Sequence, residues 1–294
     1  MLYKQIEQNK RKTLLLVLLF VVIVLGAGMA VSYLGFGDLW TGSIIAAVIL
    51  LVYLPVTYLS ASSQVLRMSG ATLASETTYK QLYHIVEELC IPARIPMPKI
   101  YIINDPSPNA FATGIKPEKG AVAFTTGLLN QLNREELEAV AAHELAHIRN
   151  YDIRLMTITI ALISVVAIIA DIGTRMLFTQ RRSSNKKTHP AVYIIALLFV
   201  LLSPLAARFV HLAVSRNREY LADATAVEMT RNSLGLQNAL RKISASNLDV
   251  NKARKATASL YISSPYSNQR KKQKTSWFST HPSLESRIER LGRM

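Results

Sequence analysis

At 294 residues the chain holds one sizeable domain, or a smaller one with membrane segments; half of it is hydrophobic and its mean hydropathy of +0.22 suits a bilayer better than a soluble enzyme. The single cysteine, Cys90, excludes an internal disulfide framework and a cysteine-built zinc site, which leaves histidines and carboxylates as metal ligands. The formal net charge of +15 accompanies long apolar runs, so it points to anionic lipid headgroups and not to nucleic acid.

Residues 1–12 are polar and carry Lys4, Lys10, Arg11 and Lys12. The apolar run 13–34 is long enough, at ~1.5 Å per residue, to cross a ~30 Å hydrocarbon layer. It is too long for a signal-peptide core and lacks a small-x-small cleavage site, so it reads as a retained anchor. A second apolar run, 39–59, follows after the short link 35–38, which predicts an antiparallel transmembrane hairpin. The basic cluster puts both outer ends of that hairpin in the cytoplasm. Pro55 predicts a kink near the end of the second helix.

From residue 60 the composition is that of a soluble domain. Leu82, Ile85, Val86 and Leu89 form one helical stripe within 76–89, and Pro92, Pro96 and Pro98 then exclude a helix. Residues 99–103 read as a strand, 109–114 as a strand or loop ending in a glycine turn, 121–124 as a strand and 128–132 as a helical turn. Asn133 with Glu136 forms a capping box, so a helix is expected from Arg134 to about Asn150. Two further apolar runs, 155–172 and 191–210, read as spans, with a shallow pair that does not fully cross, or a mobile cytoplasmic loop between them, as the alternatives. The loop between them carries Arg175, Arg181, Arg182, Lys186 and Lys187, against the positive-inside rule. Residues 215–230 form a polar helix, 234–243 continue as helix, and 247–274 read as a mobile basic loop. A short last helix turns Leu284, Ile288 and Leu291 inward.

The helix after Asn133 contains His143-Glu144-Leu145-Ala146-His147. Its two histidines are four apart and stand on one face, where each can give an imidazole nitrogen to a zinc ion at ~2.0–2.1 Å. Glu144 can then reach a water on that ion and serve as general base. A catalytic zinc needs a third protein ligand; the candidates are His84, His189, His211, His281 and a carboxylate on a later helix. Glu219 is the best of them, because Asp223 lies one turn beyond and can accept the free N–H of a ligating imidazole. The plainer reading of that pair is a solvated face paired with Arg216 and Arg218. Asp152 either orients a histidine or only ends the helix. Asn109, Ala110, Phe111 and Ala112 offer an edge strand for an extended substrate, or else belong to an ordinary hairpin.

Taken in order, residues 109–114, His143 to His147 with Asp152, Glu219 to Asp223, and Thr280-His281-Pro282 resemble the HtpX membrane proteases, relatives of the CAAX prenyl endopeptidases, over nearly the whole chain. The resemblance implies one Zn2+ per chain on His143, His147 and Glu219, with Glu144 as catalytic base. It also implies cleavage of damaged or misfolded membrane proteins at the cytoplasmic face of a bacterial membrane. It brings His281 near the site, which makes that residue the first choice of oxyanion donor, ahead of Tyr220.

The expected architecture is a mainly α integral membrane protein, with four apolar membrane helices and a zincin-like catalytic domain containing a small β-sheet. Its divisions are 1–12 in the cytoplasm, the hairpin 13–60, a first catalytic part 61–153, a second membrane pair 154–210 with the basic loop 174–190, and a second catalytic part 211–294. Two other readings are an intramembrane zinc protease, against which the polar residues 133–138 argue, and a non-catalytic scaffold or lipid-binding protein.

Overall fold

The structure is a computed structural model that describes residues 2–38, 40–163, 216–251, 253–254, 257–266 and 282–294. The expectations for the basic loop, the run 191–210, most of the run 155–172, and His189, His211 and His281 lie outside the described residues.

Helices α1 (Leu2–Phe36) and α2 (Thr41–Met68) pack side by side across the short link. Their backbones touch where Gly28 meets Gly42: a Cβ on Gly42 would lie 2.0 Å from the Gly28 carbonyl oxygen. Small residues permit that approach, as in membrane helix pairs. The outward faces of both helices are apolar, with Leu14, Leu18, Val22, Ile45, Val48 and Val52 all exposed. Only 17% and 22% of their apolar windows are buried, so these are not the core helices of a soluble protein. The chain is a membrane protein, and among the described residues these two helices have the length and apolarity to span.

Two boundaries differ from expectation. Helix α2 runs through Pro55 and past residue 59 to Met68, because Ala61, Val65 and Leu66 continue a buried stripe beneath the catalytic domain. Helix α3 (Lys80–Ala93) contains Pro92 in its last turn, and the chain leaves it at Arg94, in the left-handed conformation with φ 54°.

Strands β1 (Ala71–Leu73), β2 (Lys99–Ile103), β3 (Ala110–Thr113) and β4 (Ala121–Thr125) form one mixed sheet in the order β1-β2-β4-β3. Only the β2–β4 pair is parallel. Strand alternation divides its side chains between two clusters. Ile100, Ile102, Ala110, Ala112, Val122 and Phe124 face the helices of the catalytic domain. Ile103, Phe111, Ala121 and Ala123 face a second cluster with Leu16 and Phe20 of α1 and Val65 of α2. The sheet is therefore the layer between the catalytic helices and the membrane hairpin.

After α4 (Thr126–Gln131), the capping box forms as expected. Asn133 Oδ1 accepts the Glu136 N–H and Glu136 Oε2 accepts the Asn133 N–H, both at 2.9 Å, which starts α5 (Arg134–Arg149). Helix α5 is enclosed by α3, β3, α7 (Arg216–Thr230) and α8 (Ser233–Ala245), not by lipid-facing surface, and its buried Ala139, Ala141, Ala142 and Ala146 admit close neighbours. A further helix, α6, covers residues 152–163. The two helical ranges expected at 215–230 and 234–243 are separated at Arg231, with φ 55°, and the second is started by the Asn232 side chain, which accepts the Gly235 N–H. The last helix, α9 (Leu284–Leu291), buries Leu284 and Leu291. Residues 257–266, expected as part of a mobile loop, are folded onto β3, with Tyr261 fully buried against Phe111.

Candidate metal centre

Helix α5 carries His143 and Glu144, at 0% and 1% exposed, and the half-buried His147. The first turn of α7 brings Glu219 against them. One ligand-type atom from each of His143, His147 and Glu219 lies within 4.8 Å of the others. The two Nε2 atoms are 3.2 Å apart, His147 Nε2 is 3.7 Å from Glu219 Oε1, and His143 Nε2 is 3.9 Å from Glu219 Oε2. Ligand atoms ~2.0–2.1 Å from a tetrahedral ion stand ~3.3 Å from one another, so this triangle has the size of a tetrahedral metal site.

The outer nitrogens are held as well. His143 Nδ1 is 3.0 Å from Asp223 Oδ1, and His147 Nδ1 is 3.2 Å from Asp152 Oδ2. Carboxylates on both Nδ1 atoms favour the tautomer that leaves Nε2 free to ligate. Asp152 reaches His147, five residues back, because the chain reverses at Tyr151, whose φ is 58°.

Charge gives a second test of fit. Asp152, Glu219 and Asp223 meet the guanidinium groups of Arg218 and Arg287, and Glu144 lines the same cleft. In the protonation state that ligation requires, with both imidazoles neutral and the four carboxylates ionised, two negative charges remain, the amount a divalent cation offsets. Glu144 is buried, and neither of its oxygens makes a hydrogen bond of ordinary geometry among the described residues, the Ala112 backbone N–H being the group that comes near. A buried carboxylate without such a bond is costly, and a metal-held water is the kind of group that would satisfy it.

Set by the protein's own groups, burial pushes Glu144 up to about 8. Burial, then the Arg287 charge, takes His143 down to about 4. His147 is also disfavoured as a cation by burial, but Asp152 and Glu219 reverse this and raise it to about 9. Asp223 is held below the usual carboxylate range: burial opposes this and the Arg287 guanidinium outweighs it.

A small cleft, with room of about 30 Å³, opens beside the triangle, lined by Ala112, Glu144, His147, Met156, Glu219 and Leu260 among others. Of the four residues expected to pair with substrate, Ala112 alone lines it. The chain's own segment takes the rest of the edge: Asn109 Nδ2 donates to the Ser263 carbonyl, Ala110 O accepts the Ile262 N–H at 2.9 Å, and Phe111 packs on Tyr261 at 5.1 Å between ring centroids. The Tyr220 hydroxyl meets Ser286 at 2.8 Å and its ring lies under Arg290, so it is engaged with α9.

Two residues of the centre escaped the sequence reading. Arg287, with no exposed surface, donates from Nε and Nη2 to Asp223 at 2.8 and 2.6 Å and from Nη1 to the Ile262 carbonyl at 2.8 Å. Its signal was a charge on the apolar stripe of Leu284, Ile288 and Leu291. Asn9 of α1 reaches Asp152 from the other side, on a stripe with Thr13, Leu16 and Phe20.

A family model described as peptidase family M48 matches residues 76–294. The chain is 49% identical to a protein from Listeria monocytogenes serotype 4a (strain HCC23) and 46% identical to one from Limosilactobacillus reuteri (strain DSM 20016), with all of each chain covered. Both of those relatives are named protease HtpX homolog. Among solved structures, the crystal structure of S. mikatae Ste24p aligns with 98% of this chain and 67% of that one, at 20% identity and a TM-score of 0.49.

Proposed function

Because the chain belongs to peptidase family M48, among its HtpX proteases, we propose that His143, His147 and Glu219 hold one Zn2+ and that Glu144 is the base of a membrane-anchored endopeptidase. The observation that carries this reading is the triangle of ligand-type atoms, with an outer carboxylate on each histidine. When bound, the ion lowers the pKa of its water from ~15.7 toward ~7 and polarises the scissile carbonyl. Glu144 takes the proton of the attacking water and delivers it to the leaving amine. Asp152 and Asp223 hold the two imidazoles, and Ala112 lines the cleft where the substrate backbone enters. His281 is the donor we assign to the oxyanion; His281→Ala should lower kcat by about 100-fold or more with the metal retained.

We place the active site at the cytoplasmic face. Lys10 lies over the Tyr151 ring at 4.8 Å, so the basic end of α1 and the catalytic domain share one side, and the positive-inside rule makes that side the cytoplasm. The substrates we assign are polypeptides, damaged membrane proteins among them, reached from the bilayer surface.

Metal analysis of detergent-purified protein tests the reading. The parent should carry about one zinc per chain, and His143→Ala should lose it. Glu144→Ala should keep the zinc and lose cleavage of casein and of itself. A Glu144→Ala protein that cuts casein as fast as the parent overturns the mechanism.

A further inference from the structure

Asn9 sits in the first membrane helix, yet it is only 5% exposed, and its side chain points into the catalytic domain. Its amide nitrogen has two hydrogens and both have acceptors. One goes to Asp152 Oδ1 at 2.6 Å; the other goes to the backbone carbonyl of Asn150, which caps α5, at 3.3 Å. The second oxygen of the same carboxylate, Asp152 Oδ2, meets His147 Nδ1. Arg218 stands farther off, with Nη1 3.9 Å from Asp152 Oδ1. Asn9, Asp152 and His147 thus form one line, and the amide fixes the carboxylate from the side opposite the ring. A carboxylate held at one oxygen can rotate about its Cβ–Cγ bond; held at both, it presents one geometry to the imidazole.

We propose that Asn9 is a positioning residue of the metal centre: the membrane anchor, through its side-chain amide, sets the orientation of Asp152 and so of the His147 ring. The inference rests on the reading of His147 as a metal ligand. It gives the anchor a task beyond attachment, because a displacement of α1 along the domain is transmitted to the ligand through two hydrogen bonds.

The test uses full-length protein in detergent, loaded with zinc, and reads three quantities: the rate of zinc transfer to a colorimetric chelator, kcat against KM on fluorescent casein, and Tm. Asn9→Ala should speed zinc transfer by about 10-fold, the lower end for a partner behind a ligand, and lower kcat with KM unchanged. Thr13→Val is the control, since Thr13 lies one turn along the same buried stripe and its hydroxyl donates to the Asn9 backbone carbonyl, away from the Asn9 amide. It should lower Tm at most and leave zinc transfer at the parent rate. Should Asn9→Ala prove too unstable, Asn9→Asp sets two carboxylates together and should speed zinc transfer, and adding Asp152→Asn restores a donor–acceptor pair and should slow it again. Zinc transfer at the parent rate in Asn9→Ala, equal effects of Asn9→Ala and Thr13→Val, or no recovery in the double variant each overturns the inference. A parent that binds no zinc overturns instead the ligand assignment beneath it.

Discussion

A guanidinium with no exposed surface needs its charge answered on every side, and Arg287 has Asp223 on two nitrogens and Glu219 within 3.5 Å. It joins α9 to α7 and, through the Ile262 carbonyl, to the segment along β3. Removing it strands Asp223 as a buried charge, which costs ~3–5 kcal/mol. For a chain of this size Arg287→Ala should therefore lower Tm by roughly 10 °C in a thermal-shift measurement, and a fall under about 2 °C would refute this account. Arg287→Lys should recover only part of the loss, because an ammonium cannot match the two-pronged contact with Asp223. At this scale the sequence was legible wherever spacing along one helix carried the information: His143 with His147, and Glu219 with Asp223. Arg287 and Asn9 were missed for one reason. Each is a polar residue on an inward stripe, which shows that a partner exists but not that it lies on a helix more than sixty residues away, or more than a hundred.

Elements show the same division between local and distant information. The capping box of α5 could be read from Asn133 and Glu136 because both bonds close within four residues. Asn133→Ala should cost ~1 kcal/mol, read as a Tm shift of a few degrees, and should leave the zinc content at one per chain because the cap lies more than two turns from His143. Loss of zinc in that variant would mean that the start of the helix, and not its packing, positions the ligands. Strand β1 has three residues, too few for alternation to register, and only its antiparallel pairing with β2 defines it. The edge of β3 is less open than its sequence suggests for a related reason. Its sequence fits a strand with one open side, but residues 261–263 come from more than a hundred positions away to cover most of that side.

On the scale of the whole molecule, the membrane hairpin and the catalytic domain share a buried cluster, with the sheet between them. Both apolar runs of the hairpin could be read from hydropathy alone, since lipid imposes length and composition without regard to partners. The contact of α1 and α2 with the sheet could not, because it depends on which face of each helix turns away from lipid. The arrangement fixes a topology: the link between the two helices and the catalytic domain lie at opposite ends of the hairpin. Single cysteines at the exposed Thr41 and Ser75, placed in a Cys90→Ser background, separate the two ends. Cys90 itself adds little signal before its replacement, since burial pushes its thiol up to about 11 and keeps it un-ionised near neutral pH. An impermeant maleimide added to intact cells should label Thr41→Cys and spare Ser75→Cys, and permeabilised cells should label both. The opposite pattern would put the catalytic side outside the cell, and labelling of both in intact cells would refute a spanning hairpin.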